Sequence, residues 1–102
     1  MNDIRVGTIL VAEAFPEARR PAYKLTIDFG TELGTKRSSA QITERYTTDQ
    51  LRGMQVLAVI DLGPKTIARF TSEVLVLGLP DERGHVVLLR PDSPVSNGAK
   101  GY

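Results

Sequence analysis

Two apolar runs, residues 55–62 and 73–77, flank a short basic stretch that contains Gly63, Pro64, Lys65 and Arg69. Both runs are apolar at nearly every position rather than at every second one, which is how a strand reads when both its faces are covered. A chain of 102 residues makes one domain with a modest core, and it has little material to cover both faces of two strands from within. With Val56, Ala58, Ile60, Val74 and Val76 turned inward, Leu57, Val59, Leu75 and Leu77 point outward. Each such side chain is worth about 1.5–3 kcal/mol when fully covered. The pattern predicts a homodimer with these residues at the seam. Cover by a short helix and by the C-terminal segment 91–102 is the alternative.

The rest of the chain also reads as strands. Residues 5–13 form a first strand, with Val6, Thr8, Leu10 and Ala12 on one face and Gly7, Ile9 and Val11 on the other. Pro16 and Pro21 exclude regular structure from the loop that follows. Over residues 23–29, Tyr23, Leu25, Ile27 and Phe29 alternate with Lys24, Thr26 and Asp28, the mark of a half-buried strand. A third strand over 35–42 puts Ala40 and Ile42 inward and Arg37, Ser39 and Gln41 outward. Thr47-Thr48-Asp49-Gln50 has the form of a capping box, with Leu51 as its apolar contact and Gly53 as a left-handed stop. A sixth strand follows over 85–89. Three strands, a short helix, two strands and an extra C-terminal strand segment is the order of an all-β, five-stranded Greek-key barrel of the oligonucleotide/oligosaccharide-binding (OB) type, here a single domain over 1–102.

Charged residues at 25% and hydrophobic ones at 41% are ordinary for a soluble domain. No apolar run approaches the ~18 residues of a membrane span, and the N-terminus lacks the basic-then-apolar order of a secretory signal. A cytoplasmic location without membrane insertion is the expectation. The absence of cysteine excludes disulfides and thiolate zinc sites. There is no P-loop, dinucleotide fingerprint, HExxH or G-x-S-x-G. The one histidine, His85, opens an apolar strand, and Ser38-Ser39 has no nearby base. A binding protein with no cofactor or metal is expected, not an enzyme.

Net charge is only +1, so the placement of charge matters more than its sum. Cations fall in three groups: Arg19, Arg20 and Lys24; Lys36, Arg37 and Arg45; Lys65 and Arg69. Arg37, Ser39 and Gln41 share one strand face, and each can donate hydrogen bonds to phosphate, ribose or base edges. Arg45 and Tyr46 follow at the strand's end, and Lys65 and Arg69 come from the loop that flanks the binding face of such barrels. The same spacing also fits an ordinary solvated face. Aromatics are scarce at 6%, with no tryptophan. Phe15, Phe29 and Phe70 read as core or loop anchors, leaving Tyr46 and Tyr23 as candidates to stack on a base. Folded RNA, read by shape and backbone, fits this composition better than a threaded single strand.

Several segments, in order, carry a family resemblance. They are Asp3-Ile4-Arg5-Val6-Gly7, Phe15-Pro16-Glu17-Ala18, residues 25–30, Lys36-Arg37-Ser38-Ser39-Ala40-Gln41-Ile42-Thr43, the stretch from Pro64 to Glu73, and Val87-Leu88-Leu89 with Pro91. Together they resemble the tRNA-binding domain of CsaA-type secretion chaperones, of the C-terminal region of bacterial methionyl-tRNA synthetases and of the endothelial monocyte-activating polypeptide. The resemblance implies an OB barrel that works as a homodimer and binds tRNA at its folded elbow. For the CsaA branch it also implies an export-related chaperone that holds unfolded polypeptides. The apolar surplus of the strands offers a groove at the dimer seam for this alternative, in which RNA binding is weak or absent. The resemblance implies Lys36, Arg37, Ser39, Gln41, Lys65, Arg69 and Ser72 as RNA-facing residues, to which the strand pattern adds Arg45. In one departure, Leu75 stands where several tRNA-binding relatives have methionine.

Overall fold

The computed structural model describes residues 2–102. Its strands are β1 (Ile4–Ala14), β2 (Tyr23–Asp28), β3 (Thr35–Ala40), β4 (Gln55–Val59), β5 (Lys65–Ile67), β6 (Phe70–Ser72), β7 (Leu75–Val76), β8 (Gly78–Pro80) and β9 (Val86–Leu88), with one helix, α1 (Thr48–Leu51). The main sheet is antiparallel in the order β3-β2-β1-β4-β7 and curls into a nearly closed barrel. This is the OB-type architecture that the order of elements predicts.

β1 is long enough to serve two partners. Residues 4–8 pair with β4 and residues 8–14 with β2. The register slips between Ile9 and Val11, so Leu10 is the extra residue of a β-bulge. That bulge corrects the simple alternation read from the sequence. Gly7 and Ile9 face inward before it and Ala12 after it, while Leu10 and Val11 both stand exposed. A bulge also bends the strand, which lets one strand wrap two sides of a small barrel.

The core gathers Ile9, Leu25, Ile27, Phe29, Leu51, Val56, Ala58, Val74 and Leu88. Helix α1 plugs one end through the fully buried Leu51. Its capping box is formed as predicted: Gln50 N donates to Thr47 Oγ1 at 3.2 Å, and Thr47 N donates to Gln50 Oε1 at 2.8 Å. The C-terminal segment pairs along the start of β1, with Val6 N to Ala99 O at 3.0 Å and Gly101 N to Ile4 O at 2.7 Å.

Three expectations need correction. The basic stretch is not a plain loop: β5 and β6 form a hairpin. The strand expected over 73–77 reduces to β7, followed by a second hairpin of β8 and β9. Of the four side chains expected outward, Val59 is buried at 3% exposure and Leu57 and Leu77 are half-buried, leaving Leu75 exposed at 50%. Val59 sits opposite Ile4 in the β1–β4 register and shares its face. Leu57 N donates to Leu89 O and Leu77 N to Leu57 O, so the chain after β9 runs against these residues. The apolar surplus is therefore smaller than the strand pattern implies.

Gly7 is where β1 comes closest to the core. A Cβ there would lie 2.5 Å from Ile27 Cγ2 and 2.8 Å from Phe29 Cδ1, inside contact distance. Gly7→Ala should therefore lower stability by about 1–3 kcal/mol through overpacking. Urea unfolding would show this as a lower midpoint at unchanged slope.

Candidate nucleic-acid interface

The β5–β6 hairpin turns through Ala68 and Arg69, both at positive φ (45° and 69°), between the paired Ile67 and Phe70. This is the mirror-image two-residue turn that suits the twist of a hairpin, and it usually carries Asn-Gly. Neither residue here is glycine, so the turn is strained and must be held by its surroundings. What holds it is a second, small core. Phe70 packs on Phe15 with ring centroids 5.3 Å apart at 60°, and buried Ala22 completes the cluster. Ala18 and Ile67 pack around it. The loop after β1 is thus fastened to the hairpin after β4, the two loops that flank the ligand face of an OB barrel.

Fastening these loops gathers cations over β3. The Arg37 guanidinium lies over the Phe70 ring, 4.2 Å from its centroid, and Lys24 Nζ is 5.4 Å from the Phe15 centroid. Arg69 joins them around a pocket of about 550 Å³, with Glu17 as its one carboxylate. A neighbouring depression of about 470 Å³ adds Arg19, Arg20, Ser39, Gln41 and Lys65. A third, of about 420 Å³, runs from Ser39, Gln41, Lys65 and Ser72 to the apolar Leu62, Pro64, Ile67, Val74 and Leu75. The Arg37–Ser39–Gln41 face is the common floor. Among the described residues, no carboxylate forms a salt bridge with Arg19, Arg20, Lys24, Arg37, Lys65 or Arg69. Unpaired cations converging on one concave face make an electrostatic footprint for a polyanion.

Of the residues singled out from the sequence, Arg37, Ser39, Gln41, Lys65 and Arg69 come together here. Ser72 lies at the edge, but its hydroxyl accepts from Ser39 N at 3.0 Å and donates to Val74 O at 3.4 Å, so it ties the barrel together. Lys36 is opposite Ile27 in register, on the face of buried Ser38 and Ala40 and away from Arg37. Arg45 is engaged elsewhere, in a 2.8 Å ion pair with Asp81. That hydrogen bond, together with the amides of His85 and Arg83, holds the Asp81 carboxyl below the usual carboxylate range. The tyrosines are not free to stack. Tyr23 donates its hydroxyl to Tyr46 O at 2.7 Å, the Tyr46 hydroxyl accepts from Leu88 N at 3.0 Å, and both rings pack on the core. Arg19, Arg20 and Lys24 were legible as a charge group. Their membership of the site follows only from the Phe15–Phe70 contact.

The strained turn gives a direct test. Arg69→Gly removes the positive-φ penalty at Arg69 and should raise stability by about 0.5–1 kcal/mol, the relief exceeding the added freedom of the unfolded chain. An unchanged or lower urea midpoint would contradict the strain.

Known proteins fit this geometry. The tRNA binding domain family matches residues 4–100. A crystal structure of the chaperone CsaA from Bacillus anthracis has a TM-score of 0.92 and 54% identity, covering 99% of this chain and 91% of that one. The CsaA chaperone from Picrophilus torridus gives 0.92 and 50%, covering 99% and 92%. The methionine–tRNA ligase of Flavobacterium johnsoniae is 32% identical over 97 residues, which is 95% of this chain and 13% of the ligase, so the chain spans about an eighth of that relative's length. Among the described residues no helix is long and apolar enough to cross a membrane. The chain is a binding module and not an enzyme, and with a match over nearly its whole length it belongs to the family of tRNA-binding domains.

Proposed function

We propose that the chain binds tRNA as a homodimer, recognising the folded molecule by its backbone charge and shape. The observation that carries this reading is the convergence of Arg19, Arg20, Lys24, Arg37, Lys65 and Arg69 on one concave face, with no salt bridge to any of them among the described residues. Such a surface matches phosphates, and it offers few fixed donors and acceptors for reading a duplex sequence. A second reading is supported by the CsaA chaperone likeness and by the apolar wall of Leu62, Pro64, Ile67, Val74 and Leu75. In it the chain holds unfolded polypeptides bound for export, side chains resting in that depression. Both readings place the protein in the cytoplasm, where tRNA and unexported chains meet.

Each phosphate contact releases condensed counterions, so affinity for bulk tRNA should fall steeply with salt. Lys65→Ala with Arg69→Ala should weaken binding and flatten the slope of log affinity against log salt by about two. Filter binding across a salt series reads both. If wild-type protein retains no tRNA at low salt, or if the double variant binds as well as wild type, the first reading fails. Because Ser39, Gln41 and Lys65 border both depressions, tRNA should displace an unfolded client under the second reading.

The homodimer rests on Leu75 and Leu79, exposed at 50% and 58%, with half-buried Leu57 and Leu77 nearby in the β4–β7 region. Leu75→Asp should shift the light-scattering mass from twice 11.2 kDa to 11.2 kDa at micromolar concentration. A wild-type protein that already scatters as one chain refutes the dimer.

A further inference from the structure

The pocket between the first loop and the β5–β6 hairpin contains more than phosphate recognition requires. Cations at a rim suffice for a backbone, whereas here an aromatic floor and a carboxylate accompany them. Phe15 and Phe70 are only 4% and 5% exposed, so neither ring is itself a stacking platform. Arg37 is one. Its guanidinium lies over Phe70 at 4.2 Å while the residue stays exposed. Its backbone is fixed from both sides by Glu73, whose carboxylate accepts from Arg37 N at 3.0 Å and whose N donates to Arg37 O at 2.8 Å. A guanidinium held in this way offers its outer face to a base. At about 550 Å³ the pocket is of small-molecule size. Glu17 would repel a plain run of phosphates, so its presence calls for a group that brings hydrogen-bond donors.

We propose that this pocket seats one unpaired nucleotide of the bound RNA, with guanine preferred; the inference rests on the tRNA-binding reading above. The base stacks on Arg37, Lys24 and Arg69 take its phosphate, and Glu17 accepts from its Watson–Crick edge. Guanine alone presents two adjacent donors there, N1–H and the N2 amine, to match both oxygens of a carboxylate. Uracil offers one such donor, and adenine and cytosine offer only an exocyclic amine.

Hairpin RNAs matched in phosphate number test this: one fully paired, the others carrying a single bulged G, A, C or U, all competed against bulk tRNA at low salt. Every bulged hairpin should bind tighter than the paired one, and the bulged-G hairpin about tenfold tighter than the bulged-U one. Glu17→Gln should abolish the preference for G, while any gain from lost phosphate repulsion is shared by the paired hairpin. Arg37→Lys should keep the salt slope but erase the advantage of every bulge. If wild-type protein retains tRNA yet binds all the hairpins equally, the nucleotide seat is overturned and the backbone reading stands. If Glu17→Gln strengthens all of them alike with the G preference intact, the seat is overturned as well. Failure to retain either tRNA or hairpins overturns both readings.

Discussion

Between β3 and the chain leaving β6, two side chains do the work that a continuous ladder does elsewhere in the barrel. Glu73 accepts from Arg37 N and donates its own N–H to Arg37 O, while the Ser72 hydroxyl accepts from Ser39 N. Each such bond is worth about 0.5–1.5 kcal/mol net. Their larger effect is geometric, because they fix β6, and therefore the whole β5–β6 hairpin, along the edge of β3 that β2 leaves free. The resemblance marked Ser72 as RNA-facing. Its observed partners show how that serine also places Ser39, Arg37 and the hairpin beside one another.

The second core follows from that closure. Once β6 is held beside β3, Phe70 meets Phe15, and the first loop folds down onto the hairpin. Arg37 and Lys24 then lie against these rings instead of waving in solvent. Long cationic side chains lose much rotamer freedom on binding, and cations already resting on aromatic faces have less to lose. The strained turn at Ala68 and Arg69 fits the same account, since strain persists only where neighbouring packing over-determines the backbone.

Much of the fold was legible because its signals are local. The alternation of Tyr23 to Phe29 and the Thr47–Gln50 capping box lie within a few residues of one another, and both formed as read. The hairpin was not legible, because Ala-Arg occupies a turn that normally announces itself with Asn-Gly. Nor was the bulge at Leu10, which no glycine or proline marks. At the site, the period-two face of Arg37, Ser39 and Gln41 was visible. The pairing of Arg45 with Asp81 joins residues 36 apart, and no spacing rule finds such a partner. Lys24 and Arg37 reached the same pocket through a contact between Phe15 and Phe70, equally invisible in the linear chain. Lys36 stands apart from Arg37 for a simpler reason: adjacency in sequence puts it on the opposite face of the strand.

The bulged β1 has a further consequence. It is shared by β2, by β4 and by the C-terminal segment, so each half of the barrel borrows the same strand. Neither half can come apart while the other stays intact. Melting should therefore be all-or-none, with local opening reached most readily at the hairpin tips.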